Sequence, residues 1–425
     1  MSADIQLGDH VRLTAVKPVQ GGAMIAWHDN VTFFVEGALP GEDVTAKVTH
    51  VRSKFVRAQV LEVHKPHPER QSVACPAAAE GSGCCDYSFA TPELQHQLKL
   101  AVVHDQLERM TELEKKFWPT TVTALSEDIQ GWRIRQRYAV DDAGRVGNFR
   151  KWSHELVTRS DHQCIQEASE LSDIPHIEAL APGSELVFAV GDDGQCHAVN
   201  LQYPAANKTT KRGSRSRATA RRAQRAKTPQ RSVLFGSGEV LQRVAGAEWT
   251  IPADCFWQAH RDAAAAYADL VTHESDLFAG DYAWDLYGGC GVFAQALRVS
   301  EPDVRGIDSV DLDPRSINAG KKVFDADKRV NITRANVLHW LRRTDTSPDV
   351  VVLDPPRAGA GKAVVESISR KNPRTILHFG CDPASFARDI ADWLRSGYGV
   401  KKIHVFDGFP GTHHMECFAK LEPLS

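Results

Sequence analysis

No apolar run in this 425-residue chain approaches the length needed to cross a bilayer, and the opening MSADIQLGDHVRL has no apolar signal-peptide core. No membrane-spanning helix is expected, export is not expected, and a cytoplasmic location is predicted. The nine cysteines include no C-x-x-C pair, and an odd number spread through a long, unexported chain argues against a disulfide framework and for thiol or metal chemistry. No G-x-G-x-x-G phosphate fingerprint occurs, which disfavours a dinucleotide. There is no internal repeat. A net charge of -3 does not by itself point to nucleic acid, but its distribution does.

What is present divides the chain into three parts. Residues 1–66 read as short strands separated by turns: HVRLTAV, GGAMIAW, VTFFVEG, VTAKVTHV and FVRAQVLEV. That spacing suggests an OB-like β-barrel, with Lys47, Arg52, Lys54 and Arg57 as a cationic face or a solvated strand edge. Residues 67–244 read as a central α+β domain. It holds Cys75, Cys84 and Cys85, a helix over 92–110 capped by Thr91 as a candidate to pack on the C-terminal domain, two hairpins, and Cys164. Four thiols from two segments are a candidate set for an iron-sulfur cluster or zinc, or are unligated cysteines. Asn207 to Arg231 carries ten Lys or Arg and no acid, so it reads as a mobile arm attracted to phosphates or as a solubilising insert.

From residue 245 strands and helices alternate, the pattern of a doubly wound α/β domain. In AWDLYGGCGVFAQALR a strand ends at Asp285 to Tyr287, and Gly289 and Gly291 permit close approach of the backbone to a ligand. The next strand, GIDSVDLDP, ends in Asp311, about 26 residues on, where a carboxylate can accept both hydroxyls of a ribose. Asp285, the glycines and Asp311 suit an adenosine ligand without a pyrophosphate, such as S-adenosylmethionine. Asn336, after the third strand, is a candidate for the adenine edge or a simple turn residue.

A fourth strand runs into Asp354-Pro355-Pro356-Arg357, a stiffened loop at the carboxyl end of the sheet, where Asp354 can hydrogen-bond a planar base. A fifth delivers Cys381 to a turn, followed by Asp382 and Pro383 as N-cap and first residue of a helix. Cys381 is therefore a candidate nucleophile, because a helix N-terminus favours the thiolate; on its own it also fits a buried structural cysteine. Glu416 lies in a strand-like apolar context where a carboxylate is costly without a role, and burial raises it towards general-base strength.

FWQAH, WDLYGGCGVF, LDPPRAG, FGCDPASFARDI and FDGFPGTHHMEC, in that order, resemble the motifs of the class I RNA 5-methyluridine methyltransferases. The opening segment resembles their TRAM domain, an RNA-binding module. The resemblance implies a C-terminal Rossmann-like class I methyltransferase domain over 245–425, with Cys381 as nucleophile and Glu416 as base. It also implies Gln258 and Asp354 as contacts to substrate uracil and to S-adenosylmethionine. By the same token Asp285, Tyr287, Gly289, Gly291, Asp311 and Asn336 line the cofactor site, and Cys75, Cys84, Cys85 and Cys164 hold a 4Fe-4S cluster. The implied substrate is RNA, with 23S rRNA preferred over tRNA because the tRNA-directed branch generally lacks the TRAM module and the cluster cysteines. A monomer is expected.

The chain departs from that pattern in places. Gly81 and Cys84 stand at the second and third cluster positions, His260 replaces the asparagine closing FWQAH, and Gly380 and Asp382 flank Cys381 where Ser and Asn are usual. Asp382 keeps the capping logic but adds a charge that opposes a thiolate. Two rival readings are an amino-group methyltransferase, which needs no thiol and stacks its base on an aromatic where this chain has Arg357, and a non-catalytic RNA-binding protein around a decayed domain.

Overall fold

The computed structural model describes residues 5–73, 75–151, 153, 155–159, 164–175, 177, 180–204 and 228–424. The chain forms two compact units, one of Met1–Ala74, Cys85–Ile129 and Ala265–Ser425, the other of Cys75–Cys84 and Gln130–Ala264. No helix among the described residues is long and apolar enough to cross a membrane.

The first unit begins with a six-stranded sheet. Its strands are β1 (His10–Thr14), β2 (Lys17–Pro18), β3 (Met24–His28), β4 (Val31–Glu36), β5 (Asp43–Val51) and β6 (Val56–Lys65), in the order β1-β5-β6-β4-β3-β2. Alternation along β5 sends Val44, Ala46 and Val48 into a core with Leu13, Phe33 and Val35. Asp29 and Asn30 both take positive φ in the two-residue link between β3 and β4, as a primed hairpin turn requires.

In the same unit, β7 (Val122–Ala124) joins the edge of the large sheet described below. The Pro92–Met110 helix begins at Thr91, whose side chain accepts a hydrogen bond from the Leu94 N–H. It packs against the Pro383–Arg395 helix, which buries Phe386, Ile390 and Trp393.

The second unit contains β8 (Arg135–Val140), β9 (Val146–Phe149), β10 (Leu156–Thr158), β11 (Glu185–Val190), β12 (Cys196–Gln202) and β13 (Gln230–Phe235) in one sheet, and the hairpin of β14 (Glu239–Val244) with β15 (Ala247–Pro252). The basic stretch lies between β12 and β13. Its residues 207–227 are outside the described residues, and its last two belong to β13 rather than to an arm. Arg231 is fixed there by Asp254 at 2.8 Å.

The C-terminal portion of the first unit is built on β16 (Tyr282–Leu286), β17 (Gly306–Asp311), β18 (Val330–Arg334), β19 (Val350–Leu353), β20 (Thr375–Gly380), β21 (Tyr398–Asp407) and β22 (Glu416–Pro423). With β7 they make an eight-stranded sheet in the order β18-β17-β16-β19-β20-β22-β21-β7. The strands β16 to β20 run parallel, and β22 pairs antiparallel with both β20 and β21. Full burial of VVVL in β19 fits a parallel strand covered on both faces. Because β16 has β17 on one side and β19 on the other, the strand order reverses there, and the carboxyl ends of the strands flank a ligand crevice.

Candidate active site

Three acids, Asp285, Asp311 and Asp354, gather at the carboxyl ends of the parallel strands, and Glu416, which begins the antiparallel β22, lies near Asp354. Asp285 is fully buried, and its Oδ2 accepts from the Ala294 N–H at 3.2 Å and the Ser309 hydroxyl at 2.8 Å. Its Oδ1 is buried with no hydrogen-bond partner. Burial pushes this carboxyl up to about 7, with Asp311 and Asp354 adding repulsion against the two hydrogen bonds. Asp311 is held by the Gly289 N–H at 3.1 Å and the Asp313 N–H at 2.8 Å. Two backbone donors thus fix its carboxylate at the end of β17.

The turn between β16 and the Val292–Ser300 helix is tightly specified. Tyr287, Gly289 and Gly291 all have positive φ, and a Cβ on Gly291 would lie 2.9 Å from the Phe324 ring. Gly288, which the sequence did not single out, is tighter still: a Cβ there would sit 2.3 Å from Asp285 Oδ2 and 2.4 Å from Ser309 Oγ. Gly288→Ala therefore has to break the Asp285–Ser309 contact. Overpacking of this kind costs about 1–3 kcal/mol, so Gly288→Ala is expected to lose stability by about that amount in a denaturant titration. Asn336 is the N-cap of a short helix, its side-chain oxygen accepting from the His339 N–H at 3.1 Å.

Cys381 follows β20, and Asp382 caps the Pro383–Arg395 helix by accepting from the Ser385 N–H at 2.9 Å. The thiol lines a cavity of about 390 Å³ together with Gln20, Tyr87, Arg357, Asp382 and His414. Gly380, where a serine is usual, is accounted for by crowding: a Cβ would lie 2.9 Å from the Phe386 ring. Burial, then Glu416 and Asp354, push the thiol up to about 12, while Arg357 pulls it down. The opposition expected from Asp382 is thus not the main one; the acids that press on the thiol are Glu416 and Asp354. Glu416 is buried, is raised well above the carboxylate range by burial and by Asp354, and has one oxygen, Oε1, without a partner. Asp354 is raised by burial and by Asp311 to about 7.

These raised acids set a pH dependence. An unfolded carboxyl titrates near ~4, so between about 4 and about 7 the folded protein holds a proton on Asp285 that the unfolded chain has released. Stability from this group is complete below that window and is lost as pH rises through it. The melting midpoint of the cofactor-free protein is expected to fall between pH ~5 and ~7.5, and Asp285→Asn to flatten that slope in a thermal-shift series.

Residues 284–423 match the tRNA (Uracil-5-)-methyltransferase family model and residues 10–61 match the TRAM domain. An uncharacterized RNA methyltransferase of Corynebacterium diphtheriae is 37% identical over 98% of each chain, and one of Corynebacterium efficiens is 38% identical over 97% of this chain and 94% of its own. The chain belongs to the TRAM-containing RNA uracil-C5 methyltransferase family. It is an S-adenosylmethionine-dependent enzyme of that family. The fold is that of the Pyrococcus abyssi tRNA (uracil-54, C5)-methyltransferase solved with S-adenosyl-L-homocysteine, at 17% identity with a TM-score of 0.67 over 96% of this chain and 99% of that one.

For a methyltransferase of this family, the first unit thus brings together Cys381, Glu416 and Asp354 with Asp285, Asp311 and the glycine turn. Gln258 lies in the second unit, half-buried in the segment after β15. His260 there stacks on Trp132 with ring centroids 5.4 Å apart and planes 11° from parallel, a packing role for the residue that replaces the expected asparagine. The cysteines form no disulfide among the described residues. Cys164 is raised by a hydrogen bond with Cys75, by burial and by Cys84, while Cys84 Sγ is 3.1 Å from the Ser82 hydroxyl. Cys85 belongs to the first unit. Among the described residues no group of three or more His, Cys, Asp or Glu is arranged to hold a metal ion. Gln20, Tyr87 and His414 were not foreseen, since nothing in their local sequence marks a cavity assembled from distant segments.

Proposed function

We propose that this enzyme converts a uridine of 23S rRNA to 5-methyluridine through a covalent bond between Cys381 sulfur and carbon 6 of the base. One juxtaposition supports the reading above all. Gly380 pairs with Cys417 across β20 and β22, so the thiol just past one strand and the carboxyl of Glu416 beginning the other share a corner, where Glu416 Oε1 has no partner.

Carbon 5 of uracil is too weak a nucleophile to take a methyl group unaided. Addition of the thiolate to carbon 6 makes the ring an enolate with electron density at carbon 5. S-adenosylmethionine supplies the electrophilic methyl group. Glu416 then removes the carbon 5 proton, the sulfur–carbon 6 bond breaks, and the thiolate is regenerated. Arg357 and the helix N-terminus favour the thiolate, against Glu416 and Asp354. Asp354, near 7, is available both to donate to and to accept from the base edge.

In the same reading Asp311 takes the ribose hydroxyls, while Asp285, Tyr287, Gly289 and Gly291 shape the cofactor pocket. Asn336 offers its amide N–H groups to the adenine edge, and Asp354 contacts both substrates. For the 4Fe-4S reading, the observation is that Cys164 has Cys75 and Cys84 as neighbours within the second unit. Iron and acid-labile sulfide in anaerobically purified protein test it, and no step of the reaction passes through it. We read the enzyme as a cytoplasmic monomer.

A tRNA substrate is the second reading, because the Pyrococcus abyssi enzyme that shares the fold over 96% of this chain is a tRNA methyltransferase. Purified protein and S-adenosylmethionine are therefore incubated with unmodified ribosomal RNA and with tRNA in separate tubes, beside Cys381→Ala, and the nucleosides are read by mass spectrometry. Formation of 5-methyluridine in the ribosomal tube, lost in the variant, is expected. Product in the tRNA tube alone reverses the substrate assignment; product made by Cys381→Ala removes the covalent mechanism.

A further inference from the structure

The cavity that holds Cys381 has a wall from the far end of the chain. Val19, Gln20 and Gly21, in the link between β2 and β3 of the N-terminal sheet, line it beside Asp382 and His413. Three contacts hold that link and the strand before it against the rest of the same unit. Lys17 pairs with Asp105 of the Pro92–Met110 helix at 2.6 Å. Gly22, at φ +83°, approaches so closely that a Cβ would lie 2.6 Å from Asp86 Oδ2 and 3.2 Å from His413 Nδ1. Asp86 in turn holds the 413 position through both its oxygens, the His413 N–H at 2.9 Å and Nδ1 at 2.5 Å. The third contact is a hydrogen bond from the Gln20 amide to Asp382 Oδ2.

That last contact bears on the acid next to the nucleophile. Asp382 stands at the positive end of the helix that favours the Cys381 thiolate, and a bare carboxylate there competes for the same field. Oδ1 is already engaged by the Ser385 N–H at 2.9 Å. Gln20 engages the other oxygen, from 362 residues away in the chain.

We propose that Gln20 is a positioning residue for the methyl-transfer reaction: it holds the Asp382 carboxylate turned onto its cap, away from the Cys381 sulfur, so that the N-terminal TRAM module completes the catalytic pocket. The inference rests on Cys381 being the nucleophile. Other groups that face the thiol are Glu416 and Cys417 on β22, Asp354 and Arg357 in the loop after β19, His413 and His414 before β22, and Tyr267 on the Ala263–Glu274 helix. None of these residues is altered in Gln20→Ala.

The test uses the full-length protein as Gln20→Ala, Asp382→Asn and the double variant; Gln20 is exposed, so its removal leaves the core intact. Carbamidomethylation of Cys381 by iodoacetamide, without RNA and mapped by peptide mass spectrometry, is followed against pH, and single-turnover methylation against RNA concentration. Gln20→Ala is expected to move the alkylation profile about one pH unit upward, roughly a tenfold lower rate at pH ~8. Single-turnover methylation falls in parallel, with the half-saturating RNA concentration changed less than about twofold. On the Asp382→Asn background, which keeps a cap without the charge, removing Gln20 produces no further shift. An unmoved alkylation profile, with or without weaker RNA binding, overturns the proposal, as does a further loss in the double variant. Methylation retained by Cys381→Ala would instead overturn the nucleophile assignment, a result independent of what Gln20→Ala does to alkylation.

Discussion

Glu416→Gln is expected to stop turnover after methyl transfer, leaving the protein covalently attached to a methylated RNA. The amide keeps the size of the side chain, so the thiol still adds to carbon 6 and carbon 5 still takes the methyl group. What it lacks is a basic oxygen to receive the carbon 5 proton, and without that step the sulfur cannot leave. General-base catalysis of this kind is worth about 10²–10⁴ in rate, so steady-state turnover should fall about a thousandfold. The case for Glu416 as that base is its buried, partnerless Oε1 together with a proton affinity raised by burial and by Asp354. A methyl-labelled protein–RNA band that survives denaturing electrophoresis is the expected readout. Loss of turnover with no such band, in a variant whose Cys381 still alkylates, would assign Glu416 to a step before methyl transfer.

The parts of this architecture that were legible in the sequence are those in which local rules act alone. Asp382 and Pro383 behave as cap and first helical residue, and Thr91 starts the Pro92–Met110 helix, because caps are set by residues a few positions apart. The acids at strand ends were likewise visible, since strand ends in a parallel sheet face the crevice. Gly288 was hidden behind its neighbours Gly289 and Gly291: its constraint is not a positive φ but the two side chains, Asp285 and Ser309, that occupy its Cβ position. Gln20 carried no local signal at all, because its role depends on a contact across 362 residues. Asp382 looked like a liability beside the thiol until the donors on both its oxygens were in view. The cysteine pattern was legible only as two separated segments: that Cys164 meets Cys75 in a hydrogen bond depends on a contact across 89 residues, which no local spacing encodes.

Lys99→Met is expected to be the most destabilising single change outside the site. The Lys99 side chain is fully buried, with its ammonium 2.5 Å from Asp407 Oδ1 and 3.2 Å from the Phe409 carbonyl, and His96 reaches the other Asp407 oxygen at 3.2 Å. Burial lowers the proton affinity of Lys99, and Asp407 offsets part of that. Removing the cation leaves Asp407 charged and nearly dry, a loss of about 3–5 kcal/mol for a broken buried pair. Replacing both members, Lys99→Met with Asp407→Leu, removes the stranded charge as well and should recover most of that loss. Denaturant titrations of the two variants measure the difference. The consequence extends to catalysis, because Asp407 ends β21 and the chain then turns through Phe409 and His413 into Glu416. This ion pair ties the Pro92–Met110 helix to the start of that turn, and Gln95 on the same helix accepts from the Gly411 N–H at 2.8 Å. Even the double variant, stable again, should therefore methylate more slowly than the parent with its RNA affinity retained, since what it loses is the tether that sets the position of the base. Full activity in the stabilised double variant would show that β22 alone holds Glu416 in place.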